Sequence, residues 1–119
     1  MSDLQCPARF ILLTSLDASS AEELRHERVA GVYDAPPGAA ATELAAALGV
    51  PATAMARPAT LEAVLAREGS AVDVLRELAD VHRGETVVVL VEGRPGRRAE
   101  VAIDGDGVAV AEVSPGNAR

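Results

Sequence analysis

A chain of 119 residues has room for one core made of a sheet and a few helices, and with one Phe, one Tyr and no Trp that core must come from Val, Leu, Ile and Ala. A formal net charge of −7 argues against nucleic acid or an anionic membrane as partner, because both select a basic footprint. Cys6 is the only cysteine, which excludes an intrachain disulfide and a thiolate metal cluster. No apolar run approaches about eighteen residues and no charged start leads into an apolar stretch, so the expectation is a soluble, cytoplasmic protein. The bias toward Ala, Arg, Gly and Val fits GC-rich bacterial coding.

Arg9 to Thr14 is a continuous apolar run of strand length. Ser19-Ser-Ala-Glu-Glu-Leu24 follows, and a hydroxyl with an acid three residues on predicts a capped helix that ends near Arg28. Val29 to Tyr33 reads as a second short strand, broken by Asp34-Ala-Pro-Pro-Gly38. The prolines open an alanine-rich helix over Ala39 to Leu48, and Gly49 stops it. Val50 to Met55 is a third strand that Pro51 makes weak or edge-like.

Thr60 to Ala66 gives a short helical piece, and a longer amphipathic helix begins at Ser70-Ala-Val-Asp73. In it Val72, Leu75, Leu78 and Ala79 recur at helical spacing, with Asp73, Arg76, Glu77 and Asp80 opposite, until Gly84 ends the segment. Thr86 to Val91 is apolar on both faces and predicts a central strand of a covered sheet. Arg97 to Ile103 and Gly107 to Val113 alternate around Asp104-Gly-Asp-Gly107, the signature of a hairpin; its partial likeness to a calcium loop lacks the remaining ligands. The order predicts one domain over residues 1–119, a three-layer α/β/α fold with a mostly parallel sheet and a C-terminal antiparallel hairpin.

Several stretches together resemble the histidine phosphatase superfamily, which includes the phosphoglycerate mutases. Family members open with an apolar strand ending in Arg-His-Gly, and the similar context here is Phe10 to Leu13 followed by Thr14-Ser-Leu-Asp17. Val32-Tyr-Asp-Ala-Pro36 is similar to the family's second strand end, Val-Tyr-Ser-Ser-Pro. Leu75 to Val91 resembles a helix, a His-x-Gly-Glu-Thr turn and a strand that in the family ends Ser-His-Gly; here it ends Val91-Glu92-Gly93. The closing hairpin, Ala99 to Val113, looks like the family's last two strands. The resemblance covers nearly the whole chain and implies a phosphoglycerate mutase-like fold.

The family's chemistry is not carried over with it. In the family one His attacks the phosphoryl group, while a second His and two arginines hold its oxygens. Residue by residue, the resemblance puts Thr14 at the first arginine, Ser15 at the nucleophile, Glu92 at the second His, and small residues around Gly38 to Ala41 at the other arginine. A hydroxyl without an adjacent base is a poor nucleophile, and Glu92 and Asp17 bring negative charge where phosphate needs positive. The segment that usually carries the general acid is shortened, leaving Glu62 or Glu68 as distant candidates. His26 and His82 fall in helical segments away from both strand ends, and their spacing suits no zinc site.

The remodelled-site candidates are therefore Thr14, Ser15, Asp17 and Glu92, with Ser15, Asp17, Glu92 and Arg94 as the ligand-binding candidates and neither metal nor cofactor expected. Arg94, Arg97 and Arg98 follow the Glu92 strand and read as a solvated loop before the hairpin, with contact to an anion as the alternative. The expected function is a catalytically inactive histidine phosphatase-like protein that binds a small molecule or a protein partner, a homodimer being one form of it. The alternative is an enzyme of non-phosphatase chemistry in the same crevice, with Glu92 or Asp17 as acid or base and Ser15 as hydrogen-bond donor. The alanine-rich helix, Ala39 to Leu48, offers a third role as a pairing surface of a scaffold.

Overall fold

The two most apolar runs of the chain become neighbours at the middle of one sheet. The computed structural model describes residues 7–15, 22–35, 38–55, 59–94, 96–104 and 107–113. In order, the elements are β1 (Ala8–Leu13), β2 (Val29–Asp34), α1 (Ala39–Leu48), β3 (Ala52–Ala54), α2 (Leu61–Leu65), α3 (Gly69–Val81), β4 (Thr86–Leu90), β5 (Arg98–Ile103) and β6 (Val108–Val113). They form a six-stranded mixed sheet in the order β3-β2-β4-β1-β5-β6. The first four of these are mutually parallel, and β5 runs antiparallel to both β1 and β6.

Alternation along the strands divides the core into two layers. Phe10, Leu12, Val87, Val89, Ala99 and Val101 face α2 and α3, where Leu61, Val64, Val74 and Leu75 meet them. Ile11, Leu13, Val32 and Val88 face the other way, against Leu24, Ala41, Leu44 and Ala45. Helices thus lie on both faces of the sheet, and β1 and β4 are buried on both, as their unbroken apolar sequences require. Truncating a fully buried side chain such as Phe10 or Leu75 to alanine is expected to cost about 2–5 kcal/mol.

Local chemistry sets the element ends. Residues 22–24 are helical and run into a 3-10 turn, Arg25–Glu27, which Arg28 ends in the left-handed region at φ 53°; the predicted start at Ser19 lies outside the described residues. The hydrogen bonds that close α1 come from Gly49 N–H, at φ 73°, to the Ala45 and Ala46 carbonyls and from Val50 N–H to Ala45. Thr60 caps α2 by accepting a hydrogen bond from Ala63 N–H at 3.1 Å. The strand read over Val50 to Met55 shortens to the three residues of β3, an edge strand with every residue exposed, as Pro51 implied.

In β2 only Gly31 marks a bulge in the sequence. Val29 lies opposite Thr86 and Val32 opposite Val88, so β2 uses one more residue than β4 across this interval. The bulge keeps Val29 and Val32 on the α1 side and turns Tyr33 toward α3.

Candidate functional site

Because β1, β2, β3 and β4 are parallel, their carboxyl ends open on one edge of the sheet, the place where α/β proteins gather ligand groups. Antiparallel β5 starts at this edge and β6 finishes there, so Arg97, Arg98 and Glu112 join it. Leu13 pairs with Leu90, and Val91 N–H donates to Leu13 carbonyl at 2.9 Å, which brings Thr14 and Ser15 beside Glu92 and Gly93. Asp17 lies outside the described residues.

The two hydroxyls at the end of β1 are occupied by backbone. Thr14 Oγ1 donates to Arg94 carbonyl at 2.5 Å and accepts from Arg97 N–H at 3.0 Å. Ser15 Oγ accepts from Gly96 N–H at 2.8 Å. Thr14 N–H also donates to Arg97 carbonyl at 3.2 Å, so the connection from β4 to β5 is tied down by both residues. Thr14 and Ser15 thus work as loop anchors.

Gly93 lets that loop approach closely. A Cβ there would stand 3.0 Å from Thr14 Cγ2 and 3.5 Å from Leu61 Cβ, so any side chain must displace one of them. Glu92 is held through its backbone instead: its N–H donates to Ala59 carbonyl at 3.0 Å and its carbonyl accepts from Leu61 N–H at 2.8 Å. Its carboxylate is exposed at the rim.

Two of the arginines at this edge, Arg97 and Arg98, are already neutralised. Arg97 donates through Nε to Glu112 at 2.6 Å and through a second nitrogen to Glu62. The hydrogen bond accepted by Glu112, followed by that accepted by Glu62, strengthens the hold of the Arg97 guanidinium on its proton. In return Arg97 keeps the Glu112 carboxyl below the ordinary glutamate range, first through the hydrogen bond and against a smaller effect of burial. Glu62 is the more solvent-exposed of the two, so solvent screens its bond more. On the opposite face Arg98 contacts Glu23 and Glu100, both at 3.4 Å, while its buried Nε has no hydrogen-bond partner. At this edge Arg94, exposed in the loop, has no ion pair among the described residues.

Two readings from the sequence are corrected here. Arg97 and Arg98 are not a solvated loop: Arg97 directly precedes β5 and Arg98 opens it, both half-buried, because carboxylates of neighbouring elements take up their guanidinium groups. Glu62, read as distant from the crevice, reaches the edge from the first turn of α2 and is taken up by Arg97. A sequence signal for the Glu112 contact existed. The hairpin register places Glu112 opposite Ala99, hence diagonal to Arg97 on the same face.

Asp34, at the end of β2, accepts from Ala35 N–H at 2.8 Å and Gly38 N–H at 3.4 Å, shaping the entry to α1.

Neither histidine reaches this edge. His82 is the C-cap of α3; its Nε2 lies 2.6 Å from Tyr33 Oη and its Nδ1 2.6 Å from Glu85. The Tyr33 and His82 rings meet edge to face at 5.5 Å. Burial, with a smaller effect of the Glu85 charge, raises the Tyr33 phenol above its ordinary value. His26 lines an open depression of about 470 Å3 with Arg9, Glu27, Arg28 and Glu85, at the amino end of the parallel strands. Among the described residues no three His, Cys, Asp or Glu side chains gather as metal ligands, and no helix is long and apolar enough to cross a membrane. Comparison with protein-family models and with curated proteins finds no match to this chain.

Proposed function

We propose that this chain is a histidine phosphatase-like protein without phosphatase chemistry, acting as a binding or protein-interaction module. The observation that carries the reading is the state of Thr14, Ser15 and Arg97. Where the resemblance expects an arginine, a nucleophilic histidine and free cationic charge, two hydroxyls hold backbone and the guanidinium is held by two carboxylates. A transferred phosphoryl group needs donors and positive charge aimed at its oxygens, and here those donors are already engaged. The adjacency of parallel β1 and β4 and the closing antiparallel hairpin support the family part of the reading.

Of the candidates among the described residues, the groups left to a ligand are the Glu92 carboxylate and the Arg94 guanidinium, both exposed on the same connection. This pair suits a zwitterion or a peptide carrying both charges better than a phosphoester. Thermal unfolding tests the proposal against inorganic phosphate, phosphoesters, divalent cations and amino acids, with Glu92→Ala beside the parent. At about one hundred times its dissociation constant a ligand stabilises by roughly 2.7 kcal/mol. The expected result is no shift with phosphate or phosphoesters; stabilisation by a phosphoester that survives Glu92→Ala would overturn the reading.

A further inference from the structure

The sheet has two outer edges, and they are finished differently. At one, β3 offers three residues directly after Pro51. Shortness and a neighbouring proline are what protect an edge from pairing with another chain. At the other, β6 runs for six residues, and no described strand pairs with its outer side. Its sequence Val-Ala-Val-Ala-Glu-Val contains no lysine, proline or glycine, and its single charge, Glu112, is bonded to Arg97 of its own chain.

The hairpin fixes which backbone groups are free. Asp104 N–H donates to Gly107 carbonyl at 3.1 Å, so these two form a hydrogen-bonded pair at the turn. Alternation of the antiparallel ladder then directs the N–H and C=O of Ala109 and Ala111 toward β5, and those of Val108, Val110 and Glu112 outward. Ala109 and Ala111 are exposed on the α1 side of the sheet, where with Pro7 and Ala102 they line a shallow, mainly apolar depression of about 260 Å3.

We infer that this edge is a self-association surface, on which β6 of a second copy pairs antiparallel about a twofold axis at Val110. That register sets Val110 against Val110, Val108 against Glu112, and Ala109 against Ala111, and it satisfies the outward groups with about six hydrogen bonds. Complete pairing selects it: sliding the copies two residues either way sets Val108 or Glu112 of each copy opposite a position outside β6, and sliding four residues one way opposes Glu112 to Glu112, which like-charge repulsion disfavours. The result joins two six-stranded sheets into one. It does not depend on whether the strand-end edge holds a ligand. Two copies of charge −7 repel, so association strengthens as salt is added.

Light scattering and sedimentation of the full chain, from micromolar to millimolar, test the inference. The expected mass rises toward twice the 12.2 kDa of one chain. Val110→Pro removes an outward N–H while leaving the ladder to β5 intact, and it weakens the dimer by about tenfold or more. As second variants, Ala109→Lys with Ala111→Lys opposes like charges across the axis and gives a monomer, whereas Ala109→Glu with Ala111→Lys opposes unlike charges and keeps the dimer. Both change exposed positions, and circular dichroism confirms that each variant is folded. A parent that stays monomeric throughout the range overturns the inference, as does a dimer indifferent to all three variants. Loss of the dimer in the Glu/Lys variant overturns the register.

Discussion

Replacing Thr14 by valine separates the anchoring role of this residue from everything else it does. The substitution keeps the shape and the Cγ2 methyl that lies against Gly93, and removes only the hydroxyl. Two hydrogen bonds disappear, the one donated to Arg94 carbonyl at 2.5 Å and the one accepted from Arg97 N–H at 3.0 Å. Each is expected to contribute about 0.5–1.5 kcal/mol net. Thr14 is half-buried, so water rescues part of the loss, while valine's preference for strands returns a few tenths of a kcal/mol. The expected cost is therefore about 1–2 kcal/mol. With an unfolding entropy of about 250 cal/mol/K for a chain of this length, the midpoint falls by about 4–8 °C. Ser15→Ala loses one exposed bond and is expected to fall by about 2 °C, and Glu92→Ala, which removes an exposed carboxylate, to stay within about 2 °C. Calorimetry of the three variants reads the ranking directly. Thr14→Val at parental stability would refute the claim that the hydroxyl holds the connection between β4 and β5.

Gly93→Ala should cost about 1–3 kcal/mol through the 3.0 Å approach to Thr14 Cγ2, and Thr14→Ser, which lacks that methyl, should relieve part of it; denaturant unfolding of the double-mutant cycle measures the coupling. Glu112 is held below its ordinary range by Arg97, so its contribution is present above the unfolded value near about 4.3 and is lost as pH falls through the folded value. Arg97→Met should therefore flatten the acid limb of stability against pH, and an unchanged limb would contradict the pairing. The chain has one tyrosine and no tryptophan, so ultraviolet titration reports Tyr33 alone. Its midpoint should lie above about 10 and move down in Glu85→Gln, with stability falling as pH rises from the unfolded value through the folded one.

The architecture was largely legible because each part carried a local signal. Uninterrupted valines announced β4 as a strand covered on both faces, Gly49 marked the end of α1, and Asp104 with Gly107 marked the final turn. The site was legible as a place and not as an arrangement. Parallel β1 and β4 do bring Ser15 and Glu92 to one edge, but what the hydroxyls do depends on the path of residues 92–97, which Gly93 permits and no periodicity encodes. Tyr33 and His82 meet because a bulge turns one strand residue over, and nothing in Val29-Ala-Gly-Val-Tyr33 marks the bulge apart from its glycine. Arg97 was hidden for a different reason: its partners Glu62 and Glu112 come from two separate parts of the chain, and only the hairpin register points to Glu112.

The most direct test of the account is turnover of phosphoesters by the purified chain, beginning with an activated aryl phosphate, with Ser15→Ala as control. The prediction is hydrolysis at the rate of the buffer alone for parent and variant alike. Turnover in the parent that disappears in Ser15→Ala would contradict it, because the Ser15 hydroxyl would then be a nucleophile and not the acceptor that holds Gly96.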